Sequence, residues 1–177
     1  MTHTPVQWTD MLPGSRFYEV ALTTARLGDT ALATALGETV IIDSGTSDIT
    51  LKADLYDEFM SALVAQCAAG ADLVGFCRDA AGTSLAPSAA AGYAGTIFGL
   101  GRTEALAAGI APGHCFALSD AQIARYPSLA VTFPGAGGNA AFELVLPPSH
   151  FIQDAYNNCA RGMVRATVSR SSALPET

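Results

Sequence analysis

Asp43 is the residue best placed for chemistry, because it follows Thr39-Val40-Ile41-Ile42 and opens onto Ser44-Gly45-Thr46-Ser47. The β-branched run predicts a buried strand, which delivers a carboxylate into a turn of small polar residues. Gly45 lets the backbone turn sharply and bring its N–H groups towards the Asp43 oxygens, while the Ser44 and Thr46 hydroxyls can donate hydrogen bonds that fix the carboxylate plane. A carboxylate held in this way offers a proton, or a place to put one. Taken alone, the same residues also fit an Asx-turn in which Asp43 caps its own backbone after an ordinary strand.

The elements that would position this turn are mostly strands. Phe17, Val20 and Leu22 alternate imperfectly with Tyr18, Glu19 and Ala21, which predicts a strand with one covered face. Leu27-Gly28-Asp29-Thr30 has the composition of a hairpin turn. Asp54 is the expected N-cap of a helix, with Asp57 and Glu58 in its first turn, and Leu55, Phe59 and Leu63 recur at i, i+4, i+8 as an apolar stripe. Farther on, Leu129, Val131 and Phe133 alternate, a glycine-rich turn follows, and Phe142, Leu144 and Leu146 alternate again before Pro147-Pro148 stops the strand. Those two runs predict an antiparallel pair.

Positions 79–112 are dominated by Ala and Gly, and they fit either a surface insertion or a small-residue helix through Thr103-Glu104-Ala105-Leu106-Ala107-Ala108. The uncharged part from Ala80 onward is too poor in large apolar residues to span a bilayer, which takes about 20 of them, and reads as a loop. Gly99-Leu100-Gly101 and Gly135-Ala136-Gly137-Gly138-Asn139-Ala140 have a loose likeness to a dinucleotide fingerprint, but the second precedes a strand where the fingerprint must open a helix. Both are expected to be turns. His3, His114 and His150 have no recognisable Ser or Cys partner, so a serine or cysteine triad is unsupported.

Length and composition fit one compact domain of 177 residues, half of them hydrophobic. The formal charge of -7 argues against a nucleic-acid partner, whose phosphates this surface would repel. Residues 1–15 lack a basic segment followed by an apolar one, so no signal peptide is expected within them, and a leader would lie upstream. Cys67, Cys77, Cys115 and Cys159 allow three complete pairings, or four reduced buried thiols, and show no metal-ligand spacing.

Taken together and in order, several stretches resemble the C-terminal lobe of a pepsin-like aspartic protease. They are Thr4-Pro5-Val6, the strand Arg16-Phe17-Tyr18-Glu19-Val20-Ala21-Leu22, the turn Asp43-Ser44-Gly45-Thr46-Ser47, and Ile49-Thr50-Leu51 leading into a helix. Then come Cys115, the strand from Tyr126-Pro127-Ser128 to Phe133, the segment from Phe142 through Pro147-Pro148 to Ile152, and Cys159. The resemblance implies a mostly β fold, one lobe of a bilobal acid protease with one or two short helices. It covers residues 1–177 as a single lobe, interrupted by the unaligned stretch 79–112, and it places the family's closing C-terminal strand outside the chain. It further implies a Cys115–Cys159 disulfide, leaving Cys67 with Cys77; the longer loop would contribute about 4 kcal/mol by restricting the unfolded chain.

The same resemblance implies that Asp43 is the second-lobe catalytic aspartate of an aspartic endopeptidase. Ser44 falls where the family grips the opposite lobe, Gly45 shapes the turn, Thr46 hydrogen-bonds the carboxylate, and Ser47 sits near a substrate subsite. Asp48 departs from the apolar residue that many members carry there. Neither a second D-T-G or D-S-G nor the first lobe's flap tyrosine occurs in the chain, so the lobe is expected to be inactive alone and to need a missing N-terminal lobe carrying the first aspartate. The implied substrate is a polypeptide, with no cofactor, no metal, no nucleic acid and no membrane segment. The implied location is outside the cell or in a secretory or endolysosomal lumen. A second reading is a non-catalytic pepsin-fold binding or inhibitor-like protein. A third is a homodimer with one Asp43 per subunit, disfavoured because retroviral-type protomers are shorter and carry their own flap.

Overall fold

The computed structural model of the chain describes residues 6–43, 49–88, 93, 95–99, 115–154 and 163–170. Among them strands dominate. Those before residues 44–48 are β1 (Glu19–Ala21), β2 (Thr24–Leu27), β3 (Thr30–Leu32) and β4 (Thr39–Ile41), and β5 (Ile49–Leu51) follows them. Later come β6 (Leu129–Phe133), β7 (Phe142–Leu146), β8 (Ile152–Asp154), β9 (Val164–Ala166) and β10 (Val168–Arg170). Among the described residues the α-helices are α1 (Ala53–Ala68) and the single turn α2 (Asp120–Ile123). None of the described helices is long and apolar enough to cross a membrane. The mostly β class therefore stands.

An antiparallel sheet in the order β3-β2-β6-β7 forms the broadest layer. Its first hairpin closes on Gly28-Asp29, with Leu27 facing Thr30, and Gly28 takes φ +57, as a tight turn with glycine first demands. Its second hairpin pairs Leu129 with Leu146 and Phe133 with Phe142, as the two alternating runs predict. The expected inward set on β7 holds only in part: Phe142 and Leu146 are half-buried, whereas Leu144 is exposed. On this edge strand few side chains find a covering layer. Glu143 is held across the sheet by Arg26 through two hydrogen bonds of 2.9 and 2.8 Å.

The apolar stripe of α1 does pack as expected, with Leu55, Phe59 and Leu63 buried together with Tyr56 and Met60. The helix begins two residues earlier than the sequence predicts. Lys52 occupies the N-cap without a capping side chain, so Asp54 lies inside the first turn and Asp57 and Glu58 lie beyond it. Glu58 instead reaches out of the helix: its carboxylate accepts from the Ala33 and Thr34 N–H groups and the Thr34 hydroxyl, tying the 3-10 turn Ala33–Ala35 to α1. The helix ends in a Schellman arrangement, with Gly70 N–H on the Cys67 carbonyl, Ala71 N–H on the Gln66 carbonyl, and Gly70 at φ +87.

The described part of 79–112 lies partly at the surface, with residues 80–84 exposed, and partly in the core. Tyr93, Thr96, Ile97 and Phe98 are buried, and Ile97 is held by its N–H on the Gly75 carbonyl. A few large side chains are enough to seat this small-residue segment in the core, where Phe98 meets Phe59, Phe76 and Tyr126 at ring-centroid distances of 5.8, 5.5 and 6.2 Å. The proposed helix 103–108 lies outside the described residues. The glycine-rich stretch that starts at Gly135 forms a turn containing the 3-10 segment Ala136–Gly138. Cys67 and Cys77 are disulfide-bonded, joining the end of α1 to the turn beneath Phe76. Cys115 is disulfide-bonded as well, and its expected partner Cys159 lies outside the described residues.

Candidate functional site

Asp43 lies two residues beyond the end of β4, and the backbone on both sides of the 44–48 segment is pinned. On the entry side, β4 runs antiparallel to β1, with Val40 opposite Val20, and the Ile42 N–H donates to the Tyr18 carbonyl at 3.0 Å. On the exit side, β5 runs parallel to β10, with Ile49 opposite Val168, and the Ile49 N–H donates to the Thr167 carbonyl at 2.8 Å. Thr167 is itself fixed by its N–H on the Phe151 carbonyl. The strand that follows residues 44–48 thus has a parallel neighbour in β10.

The strand that carries Asp43 is not buried as its composition predicts. Ile41 and Ile42 are 53% and 52% exposed, and Val40 is half-buried. The reason is pairing: among the described residues β4 has a ladder on one side only, in a two-stranded sheet with β1, and nothing covers the face carrying Ile41. Val20 on β1 and Leu22 just after it are buried, while Phe17 and Tyr18, just before it, stand in solvent.

These exposed side chains enclose an open cleft of about 420 Å³, in the range of roughly 300–1,000 Å³ usual for ligand sites. Its apolar walls are Met11, Phe17, Tyr18, Ile41 and Ile42. Its polar members are Ser15, Arg16 and Asp43. The wall from 11 to 18 is shaped by Leu12-Pro13-Gly14-Ser15, where Pro at the second position and Gly14 at φ +79 suit a type II turn. Ser15 then locks the chain beyond the turn: its hydroxyl donates to the Phe17 carbonyl at 2.9 Å and accepts from the Phe17 N–H at 3.1 Å. The segment meets β1 through a bridge between Met11 and Val20. Backbone hydrogen bonds therefore set this wall, leaving its side chains to face the cleft.

Of the site residues expected from sequence, Asp43 is described, and the structure brings it to the cleft with Phe17 and Tyr18. Ser44, Gly45, Thr46 and Ser47 lie outside the described residues, as does Asp48. His150 is exposed in the 3-10 turn Pro148–His150, and no group of three or more metal-ligating side chains occurs among the described residues. Arg16, Ser15 and Met11 are members of the cleft that the sequence reading did not single out. Pro13-Gly14 was the available signal, since a turn just before a strand folds the preceding residues back over it. No protein-family model matches the chain, and no curated protein matches it.

Proposed function

We propose that the chain is one lobe of a pepsin-like aspartic endopeptidase, with Asp43 supplying one of its two catalytic carboxylates. The support is the position of Asp43: a carboxylate just past the end of a strand, with the strands on either side of residues 44–48 both paired, at an open cleft with apolar walls. In the proposed reaction, water lies between Asp43 and an aspartate of the partner lobe. One carboxylate takes a proton from the water as its oxygen bonds to the peptide carbonyl carbon, and the other, protonated, gives its proton to the carbonyl oxygen. Breakage of the C–N bond, with a proton passing to the nitrogen, then yields a carboxylic acid and an amine. Two like charges held so close cannot both ionise readily, and the aspartic-protease dyad is itself the standard case of this effect.

Ser44, Gly45, Thr46 and Ser47 carry in this reading the supporting roles that the resemblance implies. The partner is a lobe with the first aspartate, the substrate is a polypeptide, and the site of action is a secretory or endolysosomal lumen or the cell exterior. Disulfide-bonded Cys67, Cys77 and Cys115 fit such an oxidising compartment. The test is the complete two-lobed protein, assayed on denatured protein at acidic pH. Asp43→Asn should abolish cleavage and leave the fold intact, and a statine-type inhibitor should block the unaltered protein. Retained cleavage by Asp43→Asn, or turnover by this chain alone, would overturn the assignment. Tight binding of another protein without cleavage, indifferent to Asp43→Asn, would make the chain a binding protein instead.

A further inference from the structure

We infer that Arg16 gives the cleft a preference for peptides that carry an acidic side chain beside their apolar ones. This inference rests on reading the cleft as the channel in which a peptide lies. Arg16 shares the cleft with Asp43, and its walls are otherwise apolar. The other arginines with described side chains are ion-paired: Arg26 with Glu143, and Arg78 and Arg125 with the shared carboxylate of Asp72. Arg16 forms no ion pair among the described residues, in a chain whose acidic groups outnumber its lysines and arginines 16 to 9. An unmatched guanidinium in so acidic a chain is the natural seat for a carboxylate brought by the ligand, because it offers a planar fork of donors that carboxylates match.

The position of Arg16 is set by the backbone. The Leu12–Ser15 turn and the two Ser15–Phe17 hydrogen bonds fix the chain on either side of it, so Arg16 and Phe17 are presented as a rigid pair, one cationic and one apolar. An extended segment is the occupant these walls suit. Its apolar side chains would lie against Phe17, Tyr18, Ile41 and Ile42, and its carboxylate would sit at Arg16 and away from Asp43, where like charges would repel. Arg16 is thus a specificity-determining residue and takes no part in bond breaking.

The test is binding by the chain itself, which needs no cleavage. Fluorescent octapeptides of one apolar sequence, each with a single Glu or the matching Gln moved along its length, are titrated by anisotropy at pH 6. One position should favour Glu by about two- to fivefold, the range of a solvent-exposed ion pair. The preference should vanish with Arg16→Gln, survive in part with Arg16→Lys, and fade at pH 3 as the peptide carboxylate takes up its proton. Arg16 is exposed, so an unchanged melting temperature for Arg16→Gln shows that folding is not the cause. Equal affinity for Glu and Gln peptides, a preference indifferent to Arg16→Gln, or no binding of either peptide would overturn the inference. The Glu preference can stand even if the complete protein cleaves nothing, which would sink only the protease reading; cleavage without any dependence on Arg16 would sink only this one.

Discussion

Phe59→Ala and Phe17→Ala remove the same atoms from two phenylalanines that a hydropathy scale scores alike, yet their consequences should differ several-fold. Phe59 is 0% exposed on α1, edge-on to Phe98 at 5.8 Å and Phe151 at 6.3 Å. Truncating a core phenylalanine costs about 3–5 kcal/mol, through lost transfer free energy and the cavity left behind. Each lost edge-to-face partner is worth about 0.5–1.5 kcal/mol beyond area, an amount that overlaps the first and places the expectation near 4 kcal/mol, since Phe59 has two. For a chain of this length, that corresponds to a fall in melting temperature of about 8–16 °C. Phe17 is 60% exposed and lines the cleft, so its truncation should shift stability by no more than about 0.5 kcal/mol. The assay is chemical denaturation followed by circular dichroism on both variants, with peptide binding measured in parallel. A loss under about 1 kcal/mol for Phe59→Ala, or an equal loss for Phe17→Ala, would show that the core has been assigned wrongly. Phe17→Ala should instead weaken binding of apolar peptides.

Two further perturbations probe what holds the site's supports together. The Thr34 hydroxyl above all, then the Thr34 and Ala33 N–H groups, hold the Glu58 carboxyl below its usual range against the opposing effect of partial burial. A depressed folded-state value means that the stabilisation is complete above the unfolded value of about 4.3 and is lost as pH falls through the lower folded value. Glu58→Gln should therefore destabilise at pH 6, and the gap to the unaltered chain should narrow as pH falls below the unfolded value, as read from melting temperatures; a gap that stays constant with pH would refute this. Replacing Cys67 and Cys77 by serine together releases a loop closed over a separation of 10 residues, which should cost about 2.7 kcal/mol in the chain-entropy account. A denaturation midpoint shift worth less than about 1 kcal/mol would refute that entropic role.

Where local rules act alone, the sequence was legible. The Gly28-Asp29 hairpin, the Leu129–Phe133 and Phe142–Leu146 pair, and the buried Leu55, Phe59 and Leu63 stripe follow from turn chemistry and periodicity, and each is present. Asp54 misled because three acidic residues near a helix start can all pass for caps, and the backbone angles at Lys52 decide which residue lies outside. The stretch 79–112 stayed undecided because small residues say nothing of depth, and three large ones, Tyr93, Ile97 and Phe98, carry part of it into the core while 80–84 stay exposed. Of the candidate site, Asp43 and its strand could be picked out, whereas the Arg16 wall of its cleft was signalled only by the turn residues Pro13-Gly14.

By itself, the sequence determined which segments extend, which one coils, and that a carboxylate stands at the end of a β-branched strand, since propensity, period and turn residues are local properties. Only the tertiary structure decided that this strand is paired on one side and leaves Ile41 and Ile42 in solvent, that β10 returns to lie parallel to β5, and that the turn at Pro13-Gly14 brings Arg16 into the same cleft as Asp43. Burial depends on what else reaches a surface, and residues more than a hundred positions apart in the chain meet only when the whole of it has packed.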